Sequence, residues 1–258
     1  MSAETTTCLC GLVMEADDLD ALAAVAIAHF AEAHADIGLT ATQVANYVEA
    51  LARLTGGTER LEVVDDVEVE PVAAGRLDDI LAFFDHDAFA DNAGWASCYC
   101  MAHHVDDEGA WAERSAATNR ADLIERIEAG TTTGAVAYAG DKIAGWVNAS
   151  PVTAYPHHAD ADHAGFAPDE VGAIACFVVA PPYRGHGLAR RLLDAAVEQF
   201  AAAGMKAIEV YPILDPKSPA GAYRGPVPLL LEAGFEQVTE PDGRGAVVMR
   251  RVLSREPG

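Results

Sequence analysis

The chain has 258 residues, of which 40 are acidic and 17 basic, giving a net charge of −23, and it is 51% apolar. Such a chain can bury a full core and is not disordered, but it lacks the basic footprint that nucleic-acid binding requires. No apolar run approaches the roughly 20 residues that span a bilayer, and Glu4 stands where a secretory signal would carry basic residues, so no membrane anchor is expected and the chain reads as cytoplasmic.

The acids are spread along the chain (Asp65-Asp66, Asp78-Asp79, Asp106-Asp107-Glu108, Asp169-Glu170), and the lysines are Lys142, Lys206 and Lys217 alone. Dispersed self-repulsion keeps a protein dispersed when salt screens its charge, which reads as salt adaptation of a halophilic kind. Five cysteines, an odd count, point to reduced thiols and not to a disulfide framework.

In chain order, residues 1–62 read as a small, mainly helical unit. A strand is expected over Cys8–Glu15. Asp17-Asp18 then offers an N-cap to a helix with Leu19, Leu22, Ala26 and Phe30 on one side. Thr40 and Gln43 form a capping-box pattern for a second helix, apolar at Val44, Tyr47, Val48 and Leu51 and ended by Gly56-Gly57. The acidic stretch Glu62–Asp66 is the expected linker to a second domain over 67–253.

That second domain mixes α and β. Strands are expected over Val67–Val72, over Thr133–Ala139 with Lys142–Ala149 as a hairpin, over 171–179, over Lys206–Tyr211, and over Phe235–Val238 with Ala246–Val252. Helices are expected over Arg76–Phe84, near 107–117, over 120–129, over 187–203 and over Pro228–Ala233. The helix after residue 187 repeats Leu188, Leu192, Leu193, Ala196, Val197 and Phe200 at three- and four-residue spacing, with Arg190, Arg191, Asp194 and Glu198 opposite.

The turn before that helix carries the chemistry. Tyr183-Arg184-Gly185-His186-Gly187-Leu188-Ala189 joins an apolar strand to the helix through two glycines. The unpaired N–H groups of a first helical turn, with the positive end of the helix dipole, favour an anion such as a pyrophosphate. Glycine lets the backbone come close to it, and Arg184 and Arg190 can add charge-assisted hydrogen bonds.

Arg184-Gly185-His186-Gly187-Leu188-Ala189, in this order of elements and with a closing Ala233-Gly234-Phe235, resembles the Gln/Arg-x-x-Gly-x-Gly/Ala signature of the GNAT superfamily of acyl-CoA-dependent N-acetyltransferases. The resemblance spans residues 67–253. It implies an α/β fold with a mixed α+β sheet whose central strands splay, acetyl-CoA as co-substrate, and an amine of a small molecule or peptide as acceptor. By the same analogy the backbone of Val178 and Val179 meets the pantetheine arm, and the amides of Arg184, Gly185, His186, Gly187, Leu188 and Ala189 hold the pyrophosphate. Oligomeric state stays open, a homodimer included.

One position departs from the family pattern. Where many members carry a tyrosine that protonates the leaving thiolate, this chain has Leu230; Tyr223 is the substitute acid. Glu209 and Glu170 are the candidate bases, each read against a plain surface acid. Trp95, Cys98, Cys100 and His103 sit in a connection that analogy places beside the acceptor, read as a substrate wall in preference to a metal site. Cys8, Cys10, His29 and His34 have the right chemistry for zinc, but the cysteines are closely spaced. On an ideal helix the histidines point about 140° apart. A packed core is preferred there, and no metal is expected. Two rival functions are an acyl-CoA-binding sensor without turnover and a zinc or thiol sensor built on the N-terminal unit.

Overall fold

The computed structural model describes residues 3–8, 10–106 and 108–253. Residues 9 and 107, which fall in the first expected strand and at the head of the helix expected near 107–117, lie outside them.

The chain opens with β1 (Glu4–Thr7) and β2 (Val13–Ala16), paired antiparallel. The single strand expected over Cys8–Glu15 is thus the turn and second arm of a hairpin, closed by Gly11 N–H donating to the Cys8 carbonyl at 2.8 Å. Asp18 caps α1 (Leu19–Ala33), accepting from Ala21 N–H at 2.8 Å. Thr40 and Gln43 form a complete capping box at the start of α2 (Ala41–Arg53). Helix α2 faces two ways. Val44 and Val48 pack on Cys8, Met14, Leu22 and Ala26, whereas Ala50 belongs to the large core of the following body. Arg53 donates to the carbonyls of Phe84 and Asp85, and Asn46 both donates to the Arg114 carbonyl and accepts from Ala116 N–H. The two parts of the chain therefore share an interface rich in satisfied backbone groups.

The larger body is a sheet with β3 (Val67–Pro71), β4 (Gly134–Ala139), β5 (Lys142–Pro151), β6 (Val171–Val179), β7 (Ala207–Val210), β8 (Glu236–Gln237) and β9 (Met249–Val252), in spatial order β3-β4-β5-β6-β7-β9-β8. Among the described residues only β6 and β7 run parallel, and they pair over Val171–Ile174. The α-helices of this body are α3 (Leu77–Ala82), α4 (Glu108–Ala112), α5 (Ala116–Glu128), α6 (Pro156–Ala159), α7 (Leu188–Ala202) and α8 (Val227–Glu232) among the described residues. The helix expected over Arg76–Phe84 is a shorter α3 continued by a π-helical turn, Phe83–Asp87.

Strand alternation places a large core cluster on each face of the sheet. Val136, Trp146, Cys176 and Val178 face Ile80, Phe83, Phe84, Leu123 and Ile127 on one side of the sheet. Ala135, Val147, Ile174 and Phe177 face the apolar stripe of α7 on the other. The stripe foreseen from spacing is the buried one: Leu188, Leu192, Leu193, Ala196, Val197 and Phe200. Gly172 makes this contact possible, because a Cβ there would lie 2.6 Å from the Phe200 ring. Burial of each large side chain contributes about 1.5–3 kcal/mol, so the stripe fixes where the N-terminus of α7 points.

Candidate active site

Gly187 is the N-cap of α7 with φ of 81°, and Gly185 has φ of 78°. This left-handed pair turns the backbone so that the N–H groups of Gly185, His186, Gly187, Leu188 and Ala189 find no acceptor among the described residues. Consecutive unpaired donors at the positive end of a 15-residue helix make an anion cradle. A Cβ at Gly187 would meet nothing within 4 Å, so the space in front of the cradle is open.

The cradle borders a cavity of about 860 Å³. Strand β6 runs on through residues 175–179 after its pairing with β7 has ended, and Cys176, Phe177, Val178 and Val179 line the gap. Gly185, Gly187, Leu188, Ala189 and Arg190 line one end. Trp95, Cys98, Cys100, His103 and Tyr223 line the other, together with Leu39, Gln43, Asn46 and Tyr47 from the region of α2.

At that second end the aromatic groups form a cluster. Tyr223 meets Trp95 edge-on, with ring centroids 5.3 Å apart, and His103 at 6.0 Å. The Tyr223 hydroxyl accepts from Arg224 Nε at 2.9 Å, and burial raises its pKa, so it carries its proton at neutral pH. Burial pushes the Cys98 thiol up to about 11 and Cys100, which contacts Cys176 at 3.3 Å, well up as well; these are protonated wall residues. Burial, with the Arg224 charge second, lowers His103 to about 3, and its Nε2 is buried without a hydrogen-bond partner among the described residues. His104 turns away: Nδ1 bonds the Ala154 carbonyl at 3.0 Å and Nε2 bonds Asn148 Nδ2 at 3.1 Å, which fixes the neutral Nδ1–H tautomer. Tyr99 and Cys100 hold the left-handed φ values of 45° and 55° that bend this connection into the cavity wall. Tyr99 is pinned there by its hydroxyl, which donates to Asp85 at 2.6 Å.

Comparison with known proteins identifies this architecture. Residues 97–220 match the family model described as acetyltransferase (GNAT) family. They form a GNAT acetyltransferase domain. Among solved structures the chain is similar to an N-acetyltransferase from Staphylococcus aureus Mu50, at 14% identity and a TM-score of 0.48, covering 74% of this chain and all of that one. It is also similar to yncA from Salmonella typhimurium with its cofactor acetyl-CoA, at 12% identity and 0.46, covering 74% and 96%. A third similar structure is a GCN5-related N-acetyltransferase from Kribbella flavida, at 19% and 0.47, covering 72% and 98%. The search of curated proteins finds no match.

Within the GNAT domain several expected residues are committed elsewhere. Glu209 does not line the cavity: it is 1% exposed, and its carboxylate takes bonds from Arg250, His163 and Tyr211. It lies on β7 with its side chain in a closed ion-pair network, so the expected base is out of reach of an acceptor in the cavity. Glu170 is tied to Lys206 and to Ala167 N–H. Arg184 lines the cavity but donates to the Val179 carbonyl at 2.9 Å and forks onto Asp91. Arg190 pairs with Asp194. The His186 ring bonds the Leu61 carbonyl at 2.9 Å and is not part of the cavity wall, although its amide belongs to the cradle.

Two features escaped the sequence reading. Arg60, in the segment between α2 and β3, reaches Gly185 at 3.4 Å and has no carboxylate partner among the described residues, which leaves its charge at the cradle. Helix α2 supplies cavity wall. The signal for it was the capping box at Thr40, which pins the helix, but nothing local says what a capped helix leans on.

Proposed function

We propose that the chain transfers the acetyl group of acetyl-CoA to an amine held between Tyr223, His103 and α2. The observation that supports this most is the run of unpartnered amides from Gly185 to Ala189, opening onto a gap in the sheet wide enough to be a cavity. The amides and the charge of Arg60 hold the diphosphate, and the backbone of Val178 and Val179 lines the path of the pantetheine arm. The co-substrate supplies an acetyl group activated as a thioester.

The protein's own contribution is position and proton control. Holding the amine against the thioester supplies much of the rate. His103 lines the cavity, and a pKa near 3 keeps its imidazole uncharged beside the amine. With Leu230 buried in the core, Tyr223 is the hydroxyl placed to protonate the departing thiolate. With Glu209 and Glu170 engaged elsewhere, the ammonium proton leaves through solvent at the cavity mouth. We extend the cytoplasmic, salt-adapted reading to the chain as a whole; its acidic surface supports it.

The test is calorimetry with acetyl-CoA, followed by coenzyme A release with a panel of amines. Binding with turnover is expected. Binding with no turnover on any amine would leave an acyl-CoA sensor, and no binding would remove the cradle assignment.

A further inference from the structure

The N-terminal unit brings Cys8, Cys10, His29 and His34 together, and their ligand atoms all lie within 4.8 Å of one another. The helical-wheel objection fails for a local reason. His34 is not on α1: it is the C-cap, with φ of −138° and ψ of 29°, so its ring swings back toward His29 and their centroids stand 5.0 Å apart. Cys8 directly follows β1, and Cys10 lies in the turn after it. Cys8 Sγ lies 3.3 Å from His34 Nε2 and Cys10 Sγ 3.4 Å from His29 Nε2.

We propose that these four residues form a structural zinc site. Zinc bound by two thiolates and two imidazoles is tetrahedral, with ligand atoms about 3.3–3.8 Å apart along each edge. Both sulfur–nitrogen separations already match such an edge, and the remaining ones need only a small closure. Thiolate and imidazole select zinc over magnesium or calcium. Four protein ligands leave no position for water, so the ion would be structural and not catalytic. On binding, each thiol gives its proton to solvent.

The site also has mechanical sense. A hairpin of two four-residue strands is marginal alone, and only a small cluster of side chains packs it on α1 and α2. A metal joining the hairpin turn to the end of α1 would staple the layer that backs α2.

The test uses the full, untagged chain purified under reducing conditions without chelator. One equivalent of zinc is expected, and cobalt(II) added to the stripped protein should give the visible bands and sulfur charge-transfer absorption of a tetrahedral thiolate site. Cys10→Ser and His29→Gln, each at a side chain outside the packed core, should lose both while the large domain stays folded by circular dichroism. Restoring zinc should raise the melting temperature of the stripped chain. A folded chain holding below roughly a tenth of an equivalent and giving no cobalt spectrum would overturn the site. So would an equivalent of metal retained in the Cys8→Ser/Cys10→Ser double variant, or a Cys8–Cys10 disulfide whose reduction restores no metal binding.

Discussion

The two ends of the cavity are built from different materials. The glycine-loop end is backbone: left-handed residues at 185 and 187 and the amides they aim outward. The aromatic end is side chains, gathered from α2, from the connection over 93–104 and from the turn Pro219–Arg224. A backbone site follows from one contiguous stretch and needs little else. A side-chain site needs the whole fold to bring distant segments into register, and it changes with any of them.

The contrast predicts different sensitivities, and the sharpest way to break it is at Gly187. Gly187→Leu puts a side chain into the open space before the cradle and strains a left-handed position by about 1–3 kcal/mol. The dissociation constant for acetyl-CoA should rise about a hundredfold or more. Gly130→Leu imposes similar strain, since Gly130 also has positive φ and open space around its Cβ, but lies away from the cavity. It should cost stability and leave affinity intact. Equal affinity loss in both variants would show that strain, not occupancy, acts at 187.

At the other end Tyr223→Phe should lower kcat about a hundredfold, within the usual range for losing an acid–base group, with acetyl-CoA affinity unchanged. A single-turnover measurement separates this from slow product release. Full activity would clear the hydroxyl of any proton-transfer role.

The same contrast explains what was legible in the sequence. The glycine turn into α7, the buried stripe of α7, the caps at Asp18 and Thr40 and the β4–β5 hairpin could all be read, because each depends on residues a few positions apart. The misreadings involve distance. Glu209 looked like a base because it sits on the strand after α7, but its partner Arg250 is 41 residues away on β9 and His163 is 46 away in a loop. The helical wheel separated His29 from His34 because it could not show that the helix stops at Ala33. Arg60 went unnoticed because a lone arginine just before the acidic linker carries no pattern; the bonds of Leu61 N–H to the Pro182 carbonyl and of the His186 ring to the Leu61 carbonyl, each 2.9 Å, bring that segment to the loop.

Helix α2 gives a milder test of the side-chain end. Tyr47 lines the cavity and is 38% exposed, so its removal should not disturb the core. Tyr47→Ala should raise the KM for the acceptor about tenfold, equivalent to about 1.4 kcal/mol of lost contact, with the acetyl-CoA constant unmoved. A change in acetyl-CoA affinity instead would mean that α2 shapes the cofactor end.

The smallest expected effect is on stability, and it again separates the two ends. In and behind the aromatic end, imidazoles are held uncharged: desolvation lowers cavity-lining His103 to about 3, and His104, which turns away behind it, and half-buried His158, stacked on Tyr211, to about 4, from an ordinary value of 6.5. The unfolded chain binds protons at these histidines before the folded one does. Their contribution is therefore fully present above pH 6.5 and is lost as the pH falls from there toward 4. The melting temperature should fall by several degrees across that window. In His104→Gln the slope should flatten by about one histidine's share, even though the variant starts from a lower melting temperature at pH 7, because the glutamine has no proton to gain. An unchanged slope would place the acid sensitivity in the carboxylates of this acidic chain, and would mean that the imidazoles of the aromatic end are already solvated in the folded protein.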